Sequence, residues 1–139
     1  MNHSKTNQSF LGAYIKLEKT CSDKLNARHG VTEYINKLTD AKFAFGRSEV
    51  LQKLTKYRRI RNKLTHEPDA MENLGDATRD DVRWLKKFDR KVASGRDPLT
   101  KYLKRAGSKD RKRALIRTLA LAGAATVIII AIILIFKIF

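Results

Sequence analysis

Arg61, Asn62 and His66 stand together in the run Arg61-Asn62-Lys63-Leu64-Thr65-His66, and Pro68 follows two positions later. On a helix, residues four apart share a face, so Asn62 and His66 are neighbours. Arg61 is one position aside, with a side chain long enough to reach the same space. An imidazole moves a proton near neutral pH, a guanidinium holds a phosphate or a developing phosphorane charge, and an amide orients a hydroxyl. Those three groups suffice to cleave RNA through its own 2′-OH, with no metal and no cofactor. Arg61 and His66 have a second, purely structural use: two cations in a last helical turn complement its dipole and can pair with Glu67 or Asp69.

Further cations crowd the same stretch: Lys53, Lys56, Arg58, Arg59 and Lys63. A polyanion such as RNA is one partner for them, and a solvated helix face is the plainer use. The whole chain is basic, with 30 Lys and Arg against 14 Asp and Glu in 139 residues, a formal charge of +16.

These groups need a scaffold, and periodicity over residues 9–105 is helical, with no sustained alternation of the strand kind. The fold class is all-α, a bundle of four to five helices behind a flexible N-terminus at 1–8. The first helix starts near Ser9 and carries Phe10, Ala13, Tyr14, Leu17, Cys21 and Leu25 on one face; it ends before Gly30, which can take a left-handed cap. A short second helix holds Val31, Tyr34, Ile35 and Leu38. The loop 39–46 then tucks Phe43 and Phe45 under the bundle.

The third helix opens at Ser48, an N-cap with Glu49 in the first turn, and faces inward through Val50, Leu51, Leu54, Tyr57 and Leu64 until Pro68 stops it. His66 therefore sits at a helix end. An acidic loop leads to Thr78-Arg79-Asp80-Asp81, close to a capping box, and to a fourth helix with Val82, Leu85, Phe88 and Val92. Asp97 and Pro98 start a last helix with Leu99, Tyr102 and Leu103 inward. Cys21 lies on an apolar stripe and reads as a reduced core residue. Trp84 lies off the main stripe, either at a subunit interface or widening the core face.

Residues 118–136 hold no charge, Asn, Gln or His. At about 1.5 Å per residue such a helix spans roughly the 30 Å of a bilayer's hydrocarbon core, so this is a transmembrane span. A basic stem over 106–117, set off by Gly107-Ser108, precedes it. Lys109, Arg111, Lys112, Arg113 and Arg117 would lie on an anionic lipid surface, and the positive-inside rule keeps the N-terminal domain cytoplasmic. The first residues contain no apolar run of signal-peptide length, so the layout is single-pass and tail-anchored.

The run Arg61-Asn62-Lys63-Leu64-Thr65-His66, at the end of the third helix of a small bundle, resembles the Arg-polar-x-x-x-His signature of HEPN domains. The resemblance covers roughly residues 9–105. It implies a two-fold homodimer with Arg61 and His66 of both subunits lining one cleft, and metal-independent endoribonuclease activity. His66 would then be the general acid/base, Arg61 the transition-state cation, Asn62 an orienting group, and Lys56, Arg58, Arg59 and Lys63 RNA contacts. Arg59 also fits the looser spacing of that family. Several HEPN families are toxins or antiviral effectors, which implies a defence role and an antitoxin or defence-system partner. Two other classes fit the residues: a membrane-tethered module that binds RNA, lipid or protein without catalysis, and a membrane-perturbing effector that acts through 118–136.

Overall fold

In the computed structural model, which describes residues 3–67 and 69–117, Phe10, Tyr14, Leu17 and Cys21 form one buried row along α1 (His3–Leu25). Four further helices pack into the same core: α2 (Gly30–Asp40), α3 (Arg47–His66), the short α4 (Ala70–Asn73) and α5 (Arg79–Ala93). A further helix, α6, covers 98–117 of the described residues. Among the described residues there is no strand, and the all-α expectation holds. The chain divides into two compact units, 1–102 and 103–139; α1 is the hub of the first, touching α2, α3, α4 and α5.

The apolar spacing explains this arrangement, because each helix buries the positions that recur every three or four residues. Leu17, Leu38, Leu54 and Leu85 are fully buried, one from each long helix of the first unit. Burying each such side chain stabilises the fold by about 1.5–3 kcal/mol.

Several boundaries differ from expectation, each for a local reason. Residues 3–8, expected as a flexible lead-in, are the first turns of α1, because Asn7 is wholly buried there. Its Nδ2 donates to the carbonyls of Met71 (2.9 Å) and Leu74 (2.8 Å), which pins α4 against α1. The acidic segment expected as plain loop thus contains a helical turn.

At the end of α1 the left-handed residue is Asn26 (φ 50°), not Gly30. Gly30 instead opens α2, and its role is close approach. A Cβ there would collide with Ser22 N and Glu18 O of the α1 backbone. The turn is closed by polar caps: Gly30 N–H donates to Ser22 Oγ (3.1 Å) and Val31 N–H to Glu18 Oε2 (3.1 Å).

Phe43 and Phe45 do not tuck under the bundle; they are 89% and 91% exposed. Consecutive turns, Ala44 N–H to Ala41 O and Arg47 N–H to Ala44 O, bring Ala41 and Ala44 inward and leave the two rings outside. α3 then starts at Arg47, one residue before the expected cap, because Gly46 takes a left-handed φ of 75°. The Arg47 guanidinium donates to Leu38 O (2.9 Å) and Thr39 O (2.8 Å) and so closes the C-terminal end of α2. The inward row of α3 is Val50, Leu54, Tyr57, Ile60 and Leu64; Ile60 joins it and Leu51 is only half-buried.

α5 begins with a complete capping box. Thr78 Oγ1 accepts from Asp81 N–H (3.1 Å), and Asp81 Oδ2 accepts from Thr78 N–H (3.0 Å). Tyr57 OH also donates to Asp81 Oδ1 (2.9 Å), tying α3 to α5. Burial alone would raise the Asp81 carboxyl, but the Thr78 hydroxyl and N–H, the Tyr57 hydroxyl and Lys56 outweigh it and hold it below the usual value. A depressed carboxyl stabilises the fold above the unfolded-state pKa of about 3.9 and loses that contribution as pH falls through the folded value. Urea midpoints should therefore drop between pH 6 and pH 3, and Asp81→Asn should be less stable at pH 6 with a shallower acid loss.

Asp97 and Pro98 start α6 as expected: Asp97 Oδ1 accepts from Thr100 N–H (3.0 Å) and from Tyr34 OH (2.7 Å). Leu99 is buried, whereas Leu103 is 50% exposed and not inward. Residues 107 and 108 are helical, so Gly107-Ser108 does not interrupt α6. The span expected at 118–136 lies outside the described residues. Among the described residues, no helix is long and apolar enough to cross a membrane.

Candidate functional site

α3 points its apolar row at the core, so Thr55, Arg59, Asn62 and His66 stand on the opposite, exposed side. They line one open groove, together with Arg58 and Lys63. Among the described residues the lining comes from 51–67, that is from α3 and its C-cap. His66 ends the helix as expected and forms no hydrogen bond or ion pair among the described residues. The end of α3 is instead closed by Glu67 N–H donating to Lys63 O (3.0 Å). Neither Arg61 nor His66 pairs with Glu67 or Asp69, so the ion-pairing form of the structural use is absent among the described residues.

Asn62 and His66 share the groove, but Arg61 turns away. It lines an adjoining concavity between α1, the start of α2 and α3, with Tyr14, Glu18, Arg28 and His29. Arg58 and Asn62 line both hollows and form the ridge between them. Arg61 Nη1 donates to Asn62 Oδ1 (3.2 Å), so Arg61 reaches the groove through Asn62. Arg59, the alternative arginine of the sequence, lines the groove with His66 and Asn62.

The four expected RNA contacts also divide. Lys56 pairs with Asp81 (3.4 Å) and Lys63 with Asp76 (3.2 Å), so an internal carboxylate partly offsets each. Arg58 and Arg59 form no ion pair among the described residues. Lys53 pairs with Glu49 (3.4 Å) and lies over the Trp84 ring (5.1 Å to its centre). Trp84 stacks on Phe88 (4.7 Å) and meets Tyr57 edge-on (5.4 Å), which widens the core face. Lys109, Arg111, Lys112, Arg113 and Arg117 are exposed on α6.

Burial pushes the Cys21 thiol up to about 12, with Glu18, Asp97 and Asp89 adding to the shift, so it is an inert core thiol. Burial also raises the Tyr14 phenol, Glu18 adds to this, and Arg61 and Arg58 oppose it. Among the described residues, no three His, Cys, Asp or Glu side chains gather as a metal site. Sequence reasoning missed the grouping of His29 and Arg28 with Arg61. Their position just before a helix start was the available signal, but only the fold shows that this start abuts α3.

Residues 8–118 match DUF6548, a family of unknown function. The chain belongs to that family. The matched stretch begins within α1, runs on into α6, and includes α3 with both of its hollows. No curated protein and no solved structure matches the chain.

Proposed function

We propose that this DUF6548 protein is a HEPN-like, metal-independent endoribonuclease held at a membrane. The observation that carries the reading is the exposed end of α3, where the His66 side chain, without a hydrogen bond or ion pair among the described residues, lies beside Arg59 and Asn62 in an open groove. A histidine kept unpaired among cations is costly to no element of the fold and suited to proton transfer on a polyanion.

In the proposed reaction His66 takes the proton of the substrate 2′-OH. The 2′-oxygen bonds to the adjacent phosphorus, the bond to the 5′-oxygen breaks, and an acid, the imidazolium of His66 or its symmetry mate, protonates the leaving oxygen. Arg59 faces the phosphate, and Asn62, held by Arg61, orients the attacking hydroxyl. A groove lined, among the described residues, by α3 and its C-cap suits closure by the same helix of a second copy, giving a homodimer with two His66 side chains. The exposed cations of α6 would lie on anionic lipid at the cytoplasmic face, leading into a single span at 118–136. A toxin or antiviral role, with its antitoxin or defence partner, follows from the resemblance alone.

The purified full chain should cut single-stranded RNA in excess EDTA and leave 2′,3′-cyclic phosphate and 5′-hydroxyl ends. Intact RNA, or cleavage that EDTA abolishes, contradicts the proposal. Binding without cleavage is the outcome for a tethered interaction module.

A further inference from the structure

The concavity on the Arg61 side of α3 is a separate hollow of about 440 Å³ that the proposed chemistry does not use. Three guanidinium groups, Arg28, Arg58 and Arg61, line it, and none forms an ion pair among the described residues. Among the described residues Glu18 is its one lining carboxylate, and that group already accepts the Val31 N–H (3.1 Å). Tyr14 lines it too, and its hydroxyl has no hydrogen-bond partner among the described residues. That O–H is a donor open to an acceptor placed in the hollow.

The geometry points to a phosphate-binding subsite for RNA, with Arg28, Arg58 and Arg61 holding one phosphate and Tyr14 donating to it. Guanidinium groups suit this ligand because their paired N–H donors match phosphate oxygens. Exposed Ile15, on the same wall, gives the sugar or base an apolar ledge. Arg58 and Asn62 separate this hollow from the His66 groove, so a strand crossing the ridge puts one phosphate beside His66 and a neighbouring one here. The subsite rests on the RNA reading of the groove and adds substrate positioning to it; none of its residues except Arg61 and Asn62 belongs to the HEPN-like run.

The test uses the full chain in neutral detergent micelles and a fluorescent 2′-O-methyl RNA hexamer, which binds but cannot be cut. Arg28→Ala should weaken binding about tenfold and reduce the slope of log affinity against log salt by about 1. Tyr14→Phe should weaken it about threefold. Unchanged affinity and salt slope in both Arg28→Ala and Tyr14→Phe overturn the subsite, even if His66-dependent cleavage persists. Arg28-dependent binding without any cleavage keeps the subsite and removes the nuclease. A third arm measures adhesion to phosphatidylserine vesicles: Arg28→Ala should leave it unchanged, and an equal loss there overturns the RNA assignment in favour of a lipid headgroup.

Discussion

His66→Ala is expected to lower RNA cleavage at least about a hundredfold, since a positioned general acid or base contributes roughly 10²–10⁴. Stability should change by less than about 0.5 kcal/mol, because the imidazole is exposed and makes no internal contact among the described residues. RNA affinity should hold, the phosphate-binding charge lying on arginines. The arginines should separate from one another. Arg59→Ala removes the groove cation on the face of Asn62 and His66 and should lower kcat by about a hundredfold, in the range measured for loss of one transition-state donor. Arg61→Ala acts through Asn62 and the adjoining hollow, so its loss should appear in KM as well as kcat. Initial rates over a range of RNA concentrations, with circular dichroism on each variant, read all three effects. A His66→Ala protein that is equally active would leave α3 a basic helix with no chemistry of its own.

Gly30→Ala is the single methyl group with the largest expected structural effect. The new Cβ would meet backbone atoms of Ser22 and Glu18, so the clash cannot be relieved by rotating a side chain. α2 would have to move off α1, breaking the Gly30 and Val31 caps and loosening buried Val31 and Tyr34. Overpacking of this kind costs about 1–3 kcal/mol, and contact with backbone puts the cost at about 3 kcal/mol or above. The urea midpoint should fall accordingly. Ser22→Ala, which removes one cap and adds no atom, should cost only about 1 kcal/mol.

Periodicity made α1, α2, α3 and α5 readable because each has a buried row at helical spacing. The inward residues of α5, the capping box at Thr78 and the Asp97-Pro98 start of α6 all stand where the sequence places them. Features that depend on what lies opposite were not readable. Gly30 looks like a left-handed cap until α1 is seen against it, and Asn7 looks like part of a polar tail until α4 lies within reach of its amide. Phe43 and Phe45 mislead because ring size says nothing about which residues of a tight turn point inward, and there the alanines do.

The site follows the same division. Helical spacing is enough to put Asn62, Arg59 and His66 on one face, since all belong to α3. The turn of Arg61 toward Tyr14 and His29 depends on how α1 and α2 pack against α3, and no local pattern contains that.

The most direct test of the nuclease is a two-by-two comparison in excess EDTA. The full chain and its His66→Ala variant are each incubated with one RNA and with the same sequence bearing 2′-deoxy sugars throughout. Cleavage by the unaltered chain on RNA alone, ending in cyclic phosphates, is the predicted result; cutting by His66→Ala at the same rate, cutting of the deoxy strand, or no cutting by a folded protein would contradict it.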